Sequence, residues 1–360
     1  MKKKVINIFV VITLVFTLMG QAISFAVYGV EIGKFNSKDA VIPETVVESK
    51  GMYYALLEDY GGLKPYKIAV GKNMKKLKTV YKSNKKKYVW FMDAEDGIAA
   101  WTEAGKGSAQ KVKSYYKKKV RTIYSTKKND CICQNLGVYK KSVYFTVQDT
   151  KNKEAYIAEY NTKDGKLKPI EETKIKYTQN GENSINCFSI NKGVLVYSYS
   201  QNGKCIIKSM DIDSNDDCNY QARSIILDSN IAYIYAVSID NKTLNIAVYY
   251  MADDYMDKLG YIDKNSDKIK FLIDFDGYAY AYQDQITCCD GLLLYIEQQN
   301  VSGNINDHYS LQGYDFTTGK QIPKIRATYA VTAKDSILLT QWVNGIKKCK
   351  IHRKTIDELK

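Results

Sequence analysis

The chain has 360 residues, with 53 Lys and Arg against 39 Asp and Glu, a net charge of +14. A composition 45% hydrophobic and 26% charged excludes a mostly disordered chain and a polytopic membrane protein, and the length suits one large or two modest domains. Only two histidines, His308 and His352, are present, which argues against histidine-rich metal sites and most histidine catalysis; 31 Tyr beside 4 Pro lean toward β structure.

The N-terminus reads as an export signal. Lys2, Lys3 and Lys4 precede an apolar run from Val5 to Gly20, and the small residues Ser24 and Ala26 place a cleavage point after Ala26. This gives a signal peptide over 1–26 and a mature domain over 27–360. An uncleaved anchor is the alternative, because Val5 to Val30 carries no charge. Either outcome places the domain outside the cytoplasm, secreted or at the cell surface, with membrane contact only through an uncleaved segment. The abundance of Asn, Ile, Lys and Tyr suggests an AT-rich bacterial genome.

The remainder repeats. A turn followed by an apolar run recurs at Lys50-Gly51, Asp96-Gly97, Lys141-Ser142, Lys192-Gly193, Asn241-Lys242, Asp290-Gly291 and Asp335-Ser336. The second turn residues are spaced by 46, 45, 51, 49, 49 and 45. Short β runs at such a period predict propeller blades, each of four strands. Later turns in the units share a theme, as in Tyr160 to Lys166, Tyr261 to Asp263 and Tyr314 to Lys320; closing strands rhyme as Thr79-Val80-Tyr81 and Thr122-Ile123-Tyr124. No sustained helical periodicity appears, so helices should be few. Seven anchors predict an all-β, single propeller of seven four-stranded blades, six being the alternative. The last unit ends one strand short after Arg353, and Tyr28 to Phe35 could supply the missing strand and close the ring.

These turns and strands resemble the TolB-like and low-density-lipoprotein-receptor-like propeller repeats of secreted bacterial proteins, over about residues 40–360. The resemblance implies a toroid with a central channel and transfers no catalytic residues.

Charge is uneven. Residues 27–130 hold 22 Lys and Arg against 11 Asp and Glu, whereas 131–360 hold 28 of each. The excess centres on Lys75, Lys76, Lys78, Lys85, Lys86, Lys87, Lys117, Lys118, Lys119 and Arg121. In a propeller, consecutive units are adjacent wedges, so this becomes a basic sector suited to an anionic wall polymer or acidic polysaccharide; solvated, solubilising turns are the alternative. Lysine dominance suits diffuse phosphate attraction more than bidentate recognition. Nucleic acid is disfavoured outside the cell, and a protein partner at the loops is a further expectation.

Other features carry less. Tyrosines alternate at 278/280/282, 197/199 and 233/235, as sugar platforms or as inter-blade packing. Eight cysteines include Cys205 and Cys218, the expected local disulfide; Cys131-x-Cys133 and Cys288-Cys289 lack zinc-site spacing, and buried reduced thiols are the other reading. Asp211 to Asp217 begins like a calcium loop but has Asp216 and Ala222 where an EF-hand needs Gly and Glu. Two more acidic groups, Asp93/Glu95/Asp96 and Asp253/Asp254/Asp257, could serve glycoside hydrolysis only if paired in space. No nucleophile-elbow, zinc-protease or phosphate-loop pattern occurs. The sequence therefore predicts a binding or scaffold propeller with no metal or cofactor; a carbohydrate-active hydrolase or lyase at the channel mouth is the second reading.

Overall fold

The structure is a computed structural model that describes residues 30–36, 42–58, 65–84, 87–105, 109–126, 135–176, 183–213, 220–275, 279–299, 309–333, 336–343 and 348–360. The first strand, β1 (Val30–Asn36), is set aside for the last blade. Blade 1 comprises β2 (Ile42–Ser49), β3 (Met52–Glu58), β4 (Lys67–Gly71) and β5 (Lys78–Lys82). Blade 2 comprises β6 (Lys87–Glu95), β7 (Ile98–Gly105), β8 (Lys111–Tyr116) and β9 (Lys119–Ser125). Blade 3 has β10 (Leu136–Tyr139), β11 (Ser142–Asp149), β12 (Glu154–Asn161) and β13 (Leu167–Pro169), with β14 (Ile175–Lys176) also pairing β12. Blade 4 has β15 (Ile185–Asn191), β16 (Val194–Gln201), β17 (Lys204–Asp211) and β18 (Arg223–Ile226). Blade 5 has β19 (Ile231–Ile239), β20 (Ile246–Ala252), β21 (Asp257–Ile262) and β22 (Ile269–Phe275). Blade 6 has β23 (Ala279–Cys289), β24 (Leu292–Gln299), β25 (Tyr309–Asp315) and β26 (Lys320–Arg326). Blade 7 takes β27 (Tyr329–Ala333), β28 (Ser336–Val343), β29 (Lys348–Thr355) and, outermost, β1.

The protein is thus a seven-bladed, all-β propeller. Among the described residues the helical pieces are two single 3-10 turns, Met74–Lys76 and Glu171–Thr173. The anchor turns are the hairpins between first and second strands. Their two-residue tips have both residues at positive φ: Lys50-Gly51, Asp96-Gly97, Lys192-Gly193 and Asp290-Gly291. That backbone matches the right-handed twist of the flanking strands, which is why Gly recurs at the second position. Three anchors differ from expectation. In blade 7 Ser336 is already the first residue of β28, paired to Ala333, and 334–335 lie outside the described residues. In blade 3 the tip is Lys140-Lys141, one residue earlier, with Ser142 already paired to Tyr139. In blade 5 the connection is longer, running from Asp240 to Asn245.

The core is a ring of seams. Among the described residues there are seven apolar clusters, one at each junction between neighbouring blades. Trp101, Tyr54 and Leu56 fill the seam of blades 1 and 2; Tyr197, Tyr199 and Phe188 meet Tyr139 and Tyr144 at that of blades 3 and 4. A sheet with both faces apolar cannot be buried alone, so each blade depends on two neighbours.

β1 closes the circle. It pairs antiparallel with β29 from Val30↔Arg353 to Asn36↔Lys348, with a bulge between Glu31 and Gly33. Lys350 pairs with Glu31 at 3.1 Å, and Arg353 pairs with Glu48 of blade 1. Met74 of blade 1, 2% exposed, packs into the seam with Ile32, Phe35, Leu338, Cys349 and Ile351. A Cβ on Gly33 would stand 3.0 Å from the Met74 Cβ, so the strand fits there because that side chain is missing.

The register also defines two ends. The hairpin end carries the first-to-second and third-to-fourth turns, the start of β1 and residues 356–360. The return end carries the second-to-third connections and the links between blades. A chain starting at Ile42 is expected to melt several degrees lower and to self-associate through the bared β29 edge; thermal unfolding and sedimentation velocity check this.

Candidate functional site

The fold divides the basic sector. Lys75 and Lys76 lie in the 3-10 turn joining β4 to β5, capped by Asn73 Oδ1, which accepts from the Lys75 N–H at 2.8 Å. Lys78 opens β5. Lys117 and Lys118 form the β8–β9 turn, and Lys119 and Arg121 continue on β9. These seven are exposed, and among the described residues none forms an ion pair. They occupy the hairpin end and outer edge of adjacent blades, whose outer strands share one seam through Val80, Tyr81, Tyr115 and Val120. Lys85 and Lys86 lie outside the described residues. Lys87 opens β6 at the return end, so it does not join the others.

The outer halves of blades 1 and 2, residues 67–82 and 111–125, together hold twelve Lys and Arg and no Asp or Glu. An acid beside these half-blades, Glu103 on β7, is 3% exposed and already engaged. It accepts from Lys87 Nζ at 3.0 Å and from the Tyr81 hydroxyl across the blade junction. Lys113 Nζ stands 4.9 Å from the Tyr81 ring centroid. Burial alone would raise the Glu103 pKa; the Tyr81 hydroxyl, Lys87 and Lys113 outweigh it and hold the carboxyl below its ordinary value. Burial, reinforced by Glu103, pushes the Tyr81 phenol up. This network was not foreseen, because its members are brought together only when two blades pack.

The Asp93/Glu95/Asp96 group ties blade 2 to both neighbours. Asp93 accepts from the Val138 N–H of blade 3 at 2.7 Å, and Asp96 pairs with Lys50 of blade 1 at 3.0 Å. Glu95 is pushed up to about 7, first by burial and then by Asp93 and Asp96; the Lys140 N–H and ammonium oppose this. Asp253, Asp254 and Asp257 form an ordinary turn: Asp254 pairs with Lys258 at 3.1 Å and Asp257 accepts from the Tyr249 hydroxyl at 2.8 Å. Of the calcium-like loop, Asp211 caps the Asp213 N–H at 2.7 Å and Asp213 binds Lys140 and the Tyr139 hydroxyl; 214–219 lie outside the described residues. Among the described residues no three His, Cys, Asp or Glu form a metal-binding group.

Near the axis at the hairpin end, Asn191 Nδ2 donates to Ile239 O at 2.8 Å and Cys288 O at 3.1 Å, lacing blades 4, 5 and 6. Asp240, fully buried, accepts from the Thr243 N–H at 2.7 Å and from the Gly291 N–H of blade 6 at 2.9 Å. The Asp-x-x-Thr spacing of that turn is the signal that could have marked it. His352 is buried in β29, and His308 lies outside the described residues. Tyr197 and Tyr199 are buried in the seam of blades 3 and 4, and Tyr235 packs with Tyr249 into the seam of blades 5 and 6, so these serve inter-blade packing; the side chains at 278, 280 and 282 lie outside the described residues. Cys187, Cys205, Cys288, Cys289 and Cys349 are free and buried, and burial raises each thiol pKa. Cys218, the expected partner of Cys205, lies outside the described residues, as do Cys131 and Cys133.

No protein-family model and no curated protein sequence matches the chain. Similarity appears in structure. The β-propeller domain of the Trilobed protease from Pyrococcus furiosus, described as having an open velcro topology, aligns with a TM-score of 0.58 at 11% identity over 89% of this chain and 96% of that one. An acylaminoacyl peptidase in complex with a chloromethyl ketone aligns with a TM-score of 0.54 at 11% identity, over 88% of this chain and 52% of the peptidase. At such identities the likeness shows the propeller fold alone.

Two outcomes follow from the buried acids. Glu95 ionises later folded than unfolded, so between about pH 4.5 and 7 the folded state holds more protons and stability falls as pH rises. Glu95→Gln should flatten that slope in chemical denaturation across pH. Glu103→Gln should cost about 1–3 kcal/mol in urea unfolding, because Lys87 loses its charged partner.

Proposed function

We propose that the protein is an exported binding or scaffold propeller of the cell envelope, and that the lysine sector of blades 1 and 2 holds a polyanion. The observation that carries this reading is the segregation of charge: twelve cations and no acid on two adjacent outer half-blades. Unpaired lysines act as point charges whose field adds over a surface and attracts phosphate or carboxylate chains without bidentate geometry.

Edge protection does not account for the density. Lysines on outer strands do discourage edge-to-edge pairing. Yet outer strands of other blades carry fewer cations: β18 has Arg223 and exposes Ile226 at 61%, and β22 has Lys270 and exposes Phe271 at 54%.

The β8–β9 tip points the same way. Lys117 and Lys118 have φ of 49° and 62°, consecutive non-glycine residues in the left-handed region that Asn-Gly would fill at less cost. Two adjacent like charges there sacrifice stability for an outward-facing pair of ammonium groups.

Calorimetric titration with polyphosphate should give binding that weakens steadily as salt rises, and charge reversal at Lys75, Lys76, Lys117 and Lys118 should abolish it. No affinity at low ionic strength would defeat the reading. Replacing Lys117-Lys118 by Asn-Gly should raise unfolding free energy by about 1 kcal/mol while weakening polyphosphate binding.

A further inference from the structure

We infer that the hairpin end of blades 1, 2 and 7 lies against an anionic phospholipid surface, with the lysine turns of blades 1 and 2 in contact with the headgroups. This rests on the polyanion reading and names the polyanion.

The first support is where the chain reaches the ring. β1 starts at Val30, 56% exposed, at the hairpin end of blade 7. In the sequence, Val30 ends the uncharged stretch that begins at Val5. The closing strand packs directly on the 3-10 turn of blade 1, through Met74 and Gly33. The end of the uncharged stretch and the lysine turns therefore lie at the same end of the ring. They are otherwise independent features, one a sequence run and the other a product of blade order.

The second support is the field at that end. Lys72, Lys75 and Lys76 of blade 1 and Lys117, Lys118 and Lys119 of blade 2 are all exposed there. A cluster of six basic residues on one surface attracts anionic lipid, with roughly 1 kcal/mol gained for each one near the surface. Of the hairpin-end acids, Asp96 is paired with Lys50, Asp213 with Lys140 and Asp290 with Lys192; on blade 7, Asp357 is exposed 4.0 Å from Lys360 and Glu358 accepts from the Thr355 N–H at 2.7 Å, while exposed Asp164 and Asp267 lie on blades 3 and 5, away from the lysine turns. The return end mixes signs, with Lys151, Lys153 and Lys204 exposed as well as Asp253 and Asp254. The six clustered lysines therefore mark the hairpin end of blades 1 and 2 as the better side for an anionic plane. With the apolar stretch retained, attachment has two signals; with it removed, lysines alone give reversible binding.

The test uses the chain from Val27 onward, which keeps every described strand, and vesicles of phosphatidylglycerol with phosphatidylcholine or of phosphatidylcholine alone. Co-sedimentation should occur with the anionic vesicles only and fade with salt. Reversing Lys75, Lys76, Lys117 and Lys118 to Glu should lower partitioning by roughly 100-fold or more, at about fivefold per residue. Reversing the return-end residues Lys151, Lys153 and Lys204 should leave it within a few-fold of the parent. Hydrogen exchange on vesicles should slow at 72–77 and 117–119 and not at 151–153 or 253–255. Polyphosphate binding without vesicle binding would overturn this inference and leave the polyanion reading standing. Vesicle binding equally sensitive to the return-end reversals would also overturn it, and binding to neither probe would remove both.

Discussion

Everything in this molecule depends on a blade having no way to bury its sheet by itself. Each four-stranded sheet is apolar on both faces, and each face is covered by the next blade in a seam of aliphatic and aromatic side chains. Seven seams require a closed ring. Without β1, the junction of blades 7 and 1 would lose Ile32 and Phe35, and β29 would end the sheet with its backbone unpaired. The Glu48–Arg353 pair adds a polar connection across this junction and the Glu31–Lys350 pair one within blade 7, but the stability comes from the strand pairing and from Met74, Cys349 and Ile351 beneath it.

The same closure sets the electrostatics. Wedges adjacent in sequence are adjacent in space, so an excess confined to the first two units appears as one positive arc instead of being dispersed. Within the arc, Glu103 is buried and engaged by Tyr81 and Lys87, with the Lys113 charge nearby, so it contributes order between two blades without neutralising the exposed lysines. The strained Lys117-Lys118 tip is a local cost that the rest of the blade tolerates because the flanking strands are fully paired.

Much of the fold was legible because turn chemistry and period carry it. Lys50-Gly51 or Asp290-Gly291 followed by apolar residues marks a tight hairpin with little ambiguity, and seven such marks give the blade number. The closing strand was readable from the missing fourth strand after Arg353. The site was legible only in part. Lys75 to Lys78 and Lys85 to Lys87 look like one cluster in the sequence, but β5 runs between them for five residues, about 16 Å, and delivers Lys87 to the opposite end of the ring. Blade 3's turn was misplaced by one residue because Lys140, not Gly, takes the left-handed conformation there. The Glu103 and Asn191 contacts join neighbouring blades through residues 22 to 97 positions apart, and nothing in the local pattern of either residue announces them.

Placing the earliest strand beside the latest one has a consequence for assembly. During vectorial synthesis, blades 1 to 6 can pair their strands as hairpins in order, but β1 must wait until β29 has emerged, more than three hundred residues later. Until then Met74 and Val46 have no cover on one side, and the nascent arc is an unlatched horseshoe. The last strand to be made is therefore the one that locks the torus, so a translation product lacking its C-terminal strands would strand β1 without a partner and leave two raw flanks available to other chains.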